Sequence, residues 1–147
     1  MYKGDLSNRP APRLVFVWEG VLAHPLKGAE SRISKYLRKG AWGKALSLYT
    51  TDSVMSHQLW RLAWNYDFGL DVATYLSQDP EFVDALRERL DAEDLPIGHV
   101  NGTDTLDLAG HRLIHVQRIF DNDERRTMMY GSKGRRIDDP RVFDPLY

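Results

Sequence analysis

The sequence Leu-Val-Phe-Val-Trp-Glu-Gly-Val-Leu, residues 14–22, decides the fold class of this chain. It begins as an unbroken apolar run and then changes abruptly to an acidic residue, Glu19, and a glycine, Gly20. Strands buried on both faces are continuously apolar, and open α/β sheets build their binding crevices just beyond the carboxyl ends of such strands. We therefore predict a buried parallel strand over Leu14–Val17, with Glu19 at the edge of the sheet where a site would form.

Helical and extended patterns alternate through the rest of the chain. Further strands are predicted over 45–49, 70–76, 97–100 and 114–120, with a last short strand around Arg136 or Val142. Helices are predicted over 30–39 (ended by Gly40), 55–66, 80–94 (Asp79 as N-cap, Pro80 as first residue) and 105–113, and a helix or a turn over 125–130. This alternation predicts an α/β three-layer sandwich around a doubly wound, mainly parallel sheet of five to six strands, a Rossmann-like architecture.

The composition favours one domain. A chain of 147 residues with 42% hydrophobic content can bury one sizeable core. We predict a single domain over residues 14–147, preceded by an extended, proline-containing arm over residues 1–13. The absence of cysteine excludes disulfides and thiolate sites. Without a signal sequence or an apolar run of roughly 18 to 20 residues, we expect a protein made in the cytoplasm with no membrane partner.

The net charge of −1 conceals an uneven distribution of charged residues. Residues 1–44 contain nine Lys/Arg and three Asp/Glu, residues 45–110 contain three and twelve, and residues 111–147 contain eight and six. Oppositely charged faces on one small protein suit contacts with other copies or with a charged protein partner. The alternative is solvated helix faces that meet no partner. Scattered basic residues without a recognition motif disfavour nucleic acid as the partner.

Three strand ends together resemble the motifs of the haloacid dehalogenase-like (HAD) superfamily. In that family the first strand runs into Asp-x-Asp-Gly-(Thr/Val), which residues 14–22 resemble with Val17 and Glu19 at the two Asp positions. A second family strand ends in Thr or Ser, and Thr50 is the counterpart by order, although Thr51 or Ser53 also suits a helix cap. A late strand ends in acids that bind Mg²⁺, which Asp121 and Asp123 match. The chain leaves no room for an inserted cap domain, so the resemblance is to a capless member.

Departures from the family pattern argue against its reaction. An isopropyl group at Val17 cannot act as the nucleophile that the family's aspartyl intermediate requires. The family's lysine should precede the late acidic motif, yet the chain has no lysine between Lys44 and Lys133, and Lys133 comes too late in the order. With few anionic ligands left, Mg²⁺ would be held weakly at Asp121 and Asp123.

Two functions therefore remain open. The preferred one is a non-catalytic HAD-like domain that serves as a structural, assembly or interaction subunit without a cofactor, through its N-terminal arm and charged faces. The alternative is a Mg²⁺-dependent phosphohydrolase working through Asp121, Asp123 and Glu19. The chain also resembles small phage-encoded HAD-like proteins, in its acid-ended strand followed by Met-Tyr-Gly-Ser-Lys-Gly at 129–134. That resemblance implies a virion or tail-associated role.

Overall fold

A five-stranded, fully parallel sheet forms the centre of the protein in a computed structural model, which describes residues 12–103, 116–139 and 141. Its strands are β1 (Arg13–Val17), β4 (Gly69–Thr74), β5 (His99–Gly102), β6 (Val116–Asp121) and β7 (Gly134–Arg136). They lie in the order β5-β4-β1-β6-β7, and every neighbouring pair is parallel. With helices flanking the sheet, the predicted Rossmann-like sandwich is confirmed.

The described helices are α1 (Glu30–Lys39), α2 (Trp42–Ser47), α3 (Ser53–Asn65), α4 (Pro80–Ala92) and α5 (Glu124–Met129). Neighbouring residues determine where two of these helices begin or end. Gly40 ends α1 in the left-handed conformation, with φ of 71°. The Asp79 carboxylate accepts the Glu81 N–H, 2.9 Å away, at the start of α4. No helix of the described ranges is long and apolar enough to cross a bilayer.

The strand order places a crevice at the end of β1. The chain passes from β1 outward through β4 to β5 and then returns to the other side of β1 for β6 and β7. The order therefore reverses between β1 and β6. In open α/β sheets this reversal point separates the loops that leave the two strands, and ligands bind there. Any site of the kind predicted from residues 14–22 should lie beyond Val17 and Asp121.

Side chains of the sheet alternate between two apolar clusters. Leu14 and Phe16 point into the larger one, in which Phe16 stacks on Phe120 with ring centroids 4.9 Å apart. Val15 and Ile119 point into a smaller cluster on the opposite face. The larger cluster is completed by the apolar faces of the helices, represented by Ile33, Met55, Leu59, Leu62, Phe82, Leu86 and Leu90. The helices α1, α3 and α4 thus pack into one apolar cluster with the sheet.

The prediction of a strand over 45–49 is wrong. Residues 42–47 form α2, and only Tyr49–Thr51 is extended, as β3. β3 pairs antiparallel with β2 (Ala23–Pro25) in a separate two-stranded sheet. Ala45 and Leu46 are buried by packing on the core, and a short apolar run does not by itself distinguish a strand from a buried helix segment.

Other boundaries differ less. Arg13, predicted to belong to the arm, is the first residue of β1, and its guanidinium forms a bidentate ion pair with Asp71 at 2.5 and 2.6 Å. β5 begins at His99 rather than at Ile97. The rest of the arm, residues 1–11, lies outside the described residues, as do the predicted helix at 105–113 and Val142.

An arginine of α4 binds both α2 and β3. Arg89 donates to the carbonyl oxygens of Leu46 and Tyr49, the latter at 2.8 Å, and to Thr51 Oγ1 at 3.2 Å. Its guanidinium also lies over the buried Trp18 ring, 5.4 Å from the centroid. The segment between β2 and β3, which carries α1 and α2, therefore packs as part of the domain and not as a separate cap.

Gly20 is required by the turn that follows β1. Its φ is 92°, and a Cβ added there would overlap the side chain of Asn122. We expect Gly20→Ala to lower the free energy of unfolding by about 2 kcal/mol, from backbone strain plus the displaced amide. Gly28→Ala is the matched control, because its φ is 76° but its added Cβ meets nothing within 4 Å, and it should cost about 1 kcal/mol. Urea unfolding of both variants measures the difference, and equal losses would contradict the contact with Asn122.

Candidate functional site

The candidate site is built on the ends of β1, β4 and β6, where the reversal of strand order predicts it. Val17 ends β1 with no exposed surface and belongs to the larger apolar cluster. The chain then makes a wide turn over Trp18–Leu22, with Glu19 in an extended conformation inside it. The position that the HAD resemblance assigns to the nucleophile is therefore part of the core, and it presents no polar atom to the crevice.

Glu19 is fixed by hydrogen bonds to the end of β4. Its Oε1 accepts the Thr74 hydroxyl at 2.9 Å, and its Oε2 accepts the backbone N–H of Tyr75 at 2.7 Å. Burial raises the pKa of the Glu19 carboxyl to about 7, although the hydrogen bonds and the charge of Arg126 oppose the rise. Both oxygens of Glu19 thus tie the turn after β1 to the neighbouring strand.

Asp121, at the end of β6, is fully buried and surrounded by donors. Arg126 donates its Nε to Oδ2 at 2.8 Å and its Nη2 to Oδ1 at 3.0 Å. The Tyr130 hydroxyl donates to Oδ2 at 2.8 Å, and the backbone N–H of Asp123 donates to Oδ1 at 3.1 Å. A buried carboxylate is tolerated when it is paired and hydrogen-bonded in this way. The guanidinium of Arg126 supplies the compensating charge.

Two tyrosines close the network between β4 and β6. The hydroxyl oxygens of Tyr75 and Tyr130 are 2.5 Å apart, and the guanidinium of Arg126 lies over the Tyr75 ring, 4.2 Å from the centroid. Burial is the largest cause that raises the pKa of each tyrosine, and the nearby Asp121 charge adds to it. Both hydroxyls therefore act as neutral hydrogen-bonding groups.

Asp123 has a local structural role. Its Oδ1 accepts the backbone N–H of Arg126 at 2.8 Å, which caps the first turn of α5. This backbone hydrogen bond is the largest cause that lowers the pKa of Asp123. α5 in turn orients Arg126 toward Asp121, so the two acids that end β6 have different partners and different functions.

These residues do not fit a Mg²⁺ ion. Both oxygens of Asp121 accept hydrogen bonds from Arg126, one oxygen of Asp123 caps α5, and Val17 offers no ligand. Mg²⁺ requires near-octahedral oxygen coordination, and a fixed cation beside a carboxylate competes for its negative charge. Across 12–103, 116–139 and 141, no group of three or more His, Cys, Asp or Glu side chains is placed to hold a metal ion.

The structure brings some of the predicted site residues together and separates others. Glu19, Asp121 and Asp123 meet at the same edge of the sheet, whereas Thr50 is exposed on β3, paired with His24. Lys133 lies in a short 3₁₀ turn between α5 and β7. Thr50 therefore belongs to the two-stranded sheet and not to the edge of the five-stranded sheet where Glu19 and Asp121 lie.

Sequence reasoning missed three residues that complete the network. Thr74 is the hydroxyl that ends the strand beside β1, Arg126 is the cation beside Asp121, and Tyr130 is the hydroxyl beside both. Thr74 lies inside the strand predicted over 70–76 and is the last residue of the observed β4, but the sequence does not show which strand lies beside β1. No family model, no curated protein and no solved structure matches this chain.

Proposed function

We propose that this protein is a HAD-like domain that has lost catalysis and serves as an assembly or interaction subunit. The observation that carries the proposal is the Asp121–Arg126 ion pair, in which the acid at the reversal point is neutralised by the protein's own guanidinium. The HAD assignment is supported by three neighbouring strand ends of the expected types: the turn after β1, the hydroxyl of Thr74 on β4 and the acids after β6.

The polar groups of this crevice already have partners inside the protein. Glu19 accepts two hydrogen bonds from the end of β4, and Asp121 accepts four. A general acid or a metal ligand needs an accessible oxygen within reach of substrate or ion. Groups held in this way link the ends of the three strands to one another instead.

The alternative, a Mg²⁺-dependent phosphohydrolase, requires a specific rearrangement. Arg126 would have to leave Asp121, and Glu19 would have to leave Thr74 and Tyr75, before any of these carboxylates could contact metal or water. The raised pKa of Glu19 is the feature that favours this alternative, because general acids often have such values. Burial raises the pKa of a carboxyl in the same way when the carboxyl has only a structural role.

We expect no turnover of p-nitrophenyl phosphate with Mg²⁺ above the buffer background, and no rise of the melting temperature on adding Mg²⁺. Turnover that Asp121→Asn abolishes would overturn the proposal. Asp67→Asn is the matched control, because Asp67 precedes β4 at the opposite edge of the sheet and already has a positive φ of 54° that asparagine tolerates. Turnover that persists in both variants identifies a contaminating phosphatase.

The distribution of exposed charged residues supports an assembly role. The uneven distribution seen in the sequence becomes two separate exposed faces, basic on α1 and acidic on α4. Complementary faces of this kind steer and orient protein association. The resemblance to phage-encoded proteins extends the proposal to a virion or tail-associated subunit, made in the cytoplasm of the host.

A further inference from the structure

Helix α1 carries three exposed cations on one side, which we call the basic stripe: Arg32, Lys35 and Lys39. Their spacing of i, i+3 and i+7 places them on one face of the helix over about 10 Å. Ile33, on another face, is buried in the core. Among the residues that the structure describes, none of the three cations has an ion-pair partner.

Helix α4 carries an acidic stripe with the same spacing: Glu81, Asp84 and Glu88. All three residues are exposed, while the opposite face of α4 is fully buried through Phe82, Leu86 and Leu90. Within the described ranges these three acids also have no ion pair, whereas the next acid along the helix, Asp91, pairs with Arg87 at 3.6 Å. Each stripe is thus a row of three like charges without an ion pair among the described residues.

The two stripes match in sign, number and spacing. Like charges three and four residues apart on a helix repel one another, so each stripe costs stability in the isolated protein. A helix that brings three opposite charges at the same repeat relieves both costs at once. A groove of about 450 Å³ between α2 and α4 is lined by Glu88 of the acidic stripe and by Arg89, so it adjoins that stripe.

We propose that the basic stripe of one copy of this protein docks on the acidic stripe of a second copy, with α1 packed along α4. This inference rests on the proposed assembly function and names its partner and its surface. A second copy is favoured over a nucleic acid because α2 packs against both α1 and α4, which keeps the acidic stripe within the same helical layer. A long polyanion on α1 would be repelled by that neighbouring surface.

Exposed ion pairs are individually weak and are screened by salt, so the association should depend strongly on concentration and ionic strength. We expect sedimentation velocity of the full chain in 50 mM NaCl to show larger species that grow with protein concentration. In 500 mM NaCl the dissociation constant should rise by about tenfold or more. A strict monomer at high concentration in 50 mM NaCl would overturn the proposal.

Charge reversal tests the pairing directly. Lys35→Glu with Lys39→Glu makes both stripes acidic, and Asp84→Lys with Glu88→Lys makes both basic, so each double variant alone should stay monomeric. A 1:1 mixture of the two should associate again. Arg61→Glu with Arg125→Glu is the control. It changes the net charge by the same amount as Lys35→Glu with Lys39→Glu, but at other exposed positions, and it should associate like the wild type.

The outcomes separate this inference from the proposed function. A mixture that stays monomeric, or association unaffected by either double variant, overturns the pairing of stripes while the phosphatase assay still reports on catalysis. Tight binding of a labelled 20-base-pair DNA duplex in 50 mM NaCl, lost in the Lys35→Glu/Lys39→Glu variant, would assign the basic stripe to nucleic acid and also overturn it. Phosphate release without loss of association would instead overturn the non-catalytic function alone.

Discussion

Replacing Asp121 with alanine should lower the free energy of unfolding by about 3–5 kcal/mol, the cost of breaking a buried ion pair from one side. The substitution leaves the guanidinium of Arg126 without its partner and removes an acceptor from the Tyr130 hydroxyl. Chemical denaturation at pH 7 measures this loss. Asp123→Ala is the control, since it removes only a helix cap and should cost about 1 kcal/mol.

The same experiment distinguishes a structural acid from a functional one. A carboxylate kept for binding a metal ion or substrate is held without full compensation, so its removal commonly leaves stability unchanged or raises it. An Asp121→Ala variant as stable as the wild type would contradict the role assigned to the ion pair. Adding Arg126→Met to Asp121→Ala should recover part of the loss, because the remaining unpaired charge is removed with it.

Replacing Glu19 with glutamine should stabilise the protein at pH 8 by about 3 kcal/mol. Burial raises the folded-state pKa of Glu19 from 4.5 to about 7, and each pKa unit is worth about 1.36 kcal/mol. Below pH 4.5 the carboxyl is protonated in both the folded and the unfolded state and costs nothing. Between pH 4.5 and 7 the folded protein retains the proton, so stability falls as the pH rises.

Glutamine removes this pH dependence while keeping the shape of the side chain. Its carbonyl can accept the Tyr75 N–H, and its amide can donate to Thr74 Oγ1. The difference in unfolding free energy between Glu19→Gln and wild type should therefore be near zero at pH 4 and grow up to pH 8. A Glu19→Gln variant that is less stable than wild type at pH 8 would contradict a carboxyl penalised by burial.

The fold was predictable because its signals are local. The apolar run before Glu19, the Asp79–Pro80 helix start and the Gly40 helix end each depend on a few neighbouring residues, and all three are confirmed. The sheet's strand order is not local, and it places Thr74, not the predicted Thr50, beside Glu19. Two hydroxyl residues follow apolar runs in the sequence, and only the pairing of β4 with β1 identifies the one beside Glu19.

The site was harder to predict because the charge of a residue on one strand or helix is balanced by a residue on another. Asp121 and Asp123 stand two residues apart and look alike in sequence. One is buried under a guanidinium, and the other caps a helix in contact with solvent. The partner that makes this difference, Arg126, lies on α5 and reaches back to β6, and no motif marks it. Composition and periodicity predict where polar groups gather, but not which of them neutralise one another.

The contacts of Arg89 mean that the helices of the proposed interface are already ordered before two copies associate. Arg89 ties α2 and β3 to α4, and α2 packs on α1, so the helix that carries the basic stripe and the helix that carries the acidic stripe are joined through α2. Two copies would therefore associate without first having to order either helix. The entropy of ordering the interface is then lost once, during folding, and not again at each association.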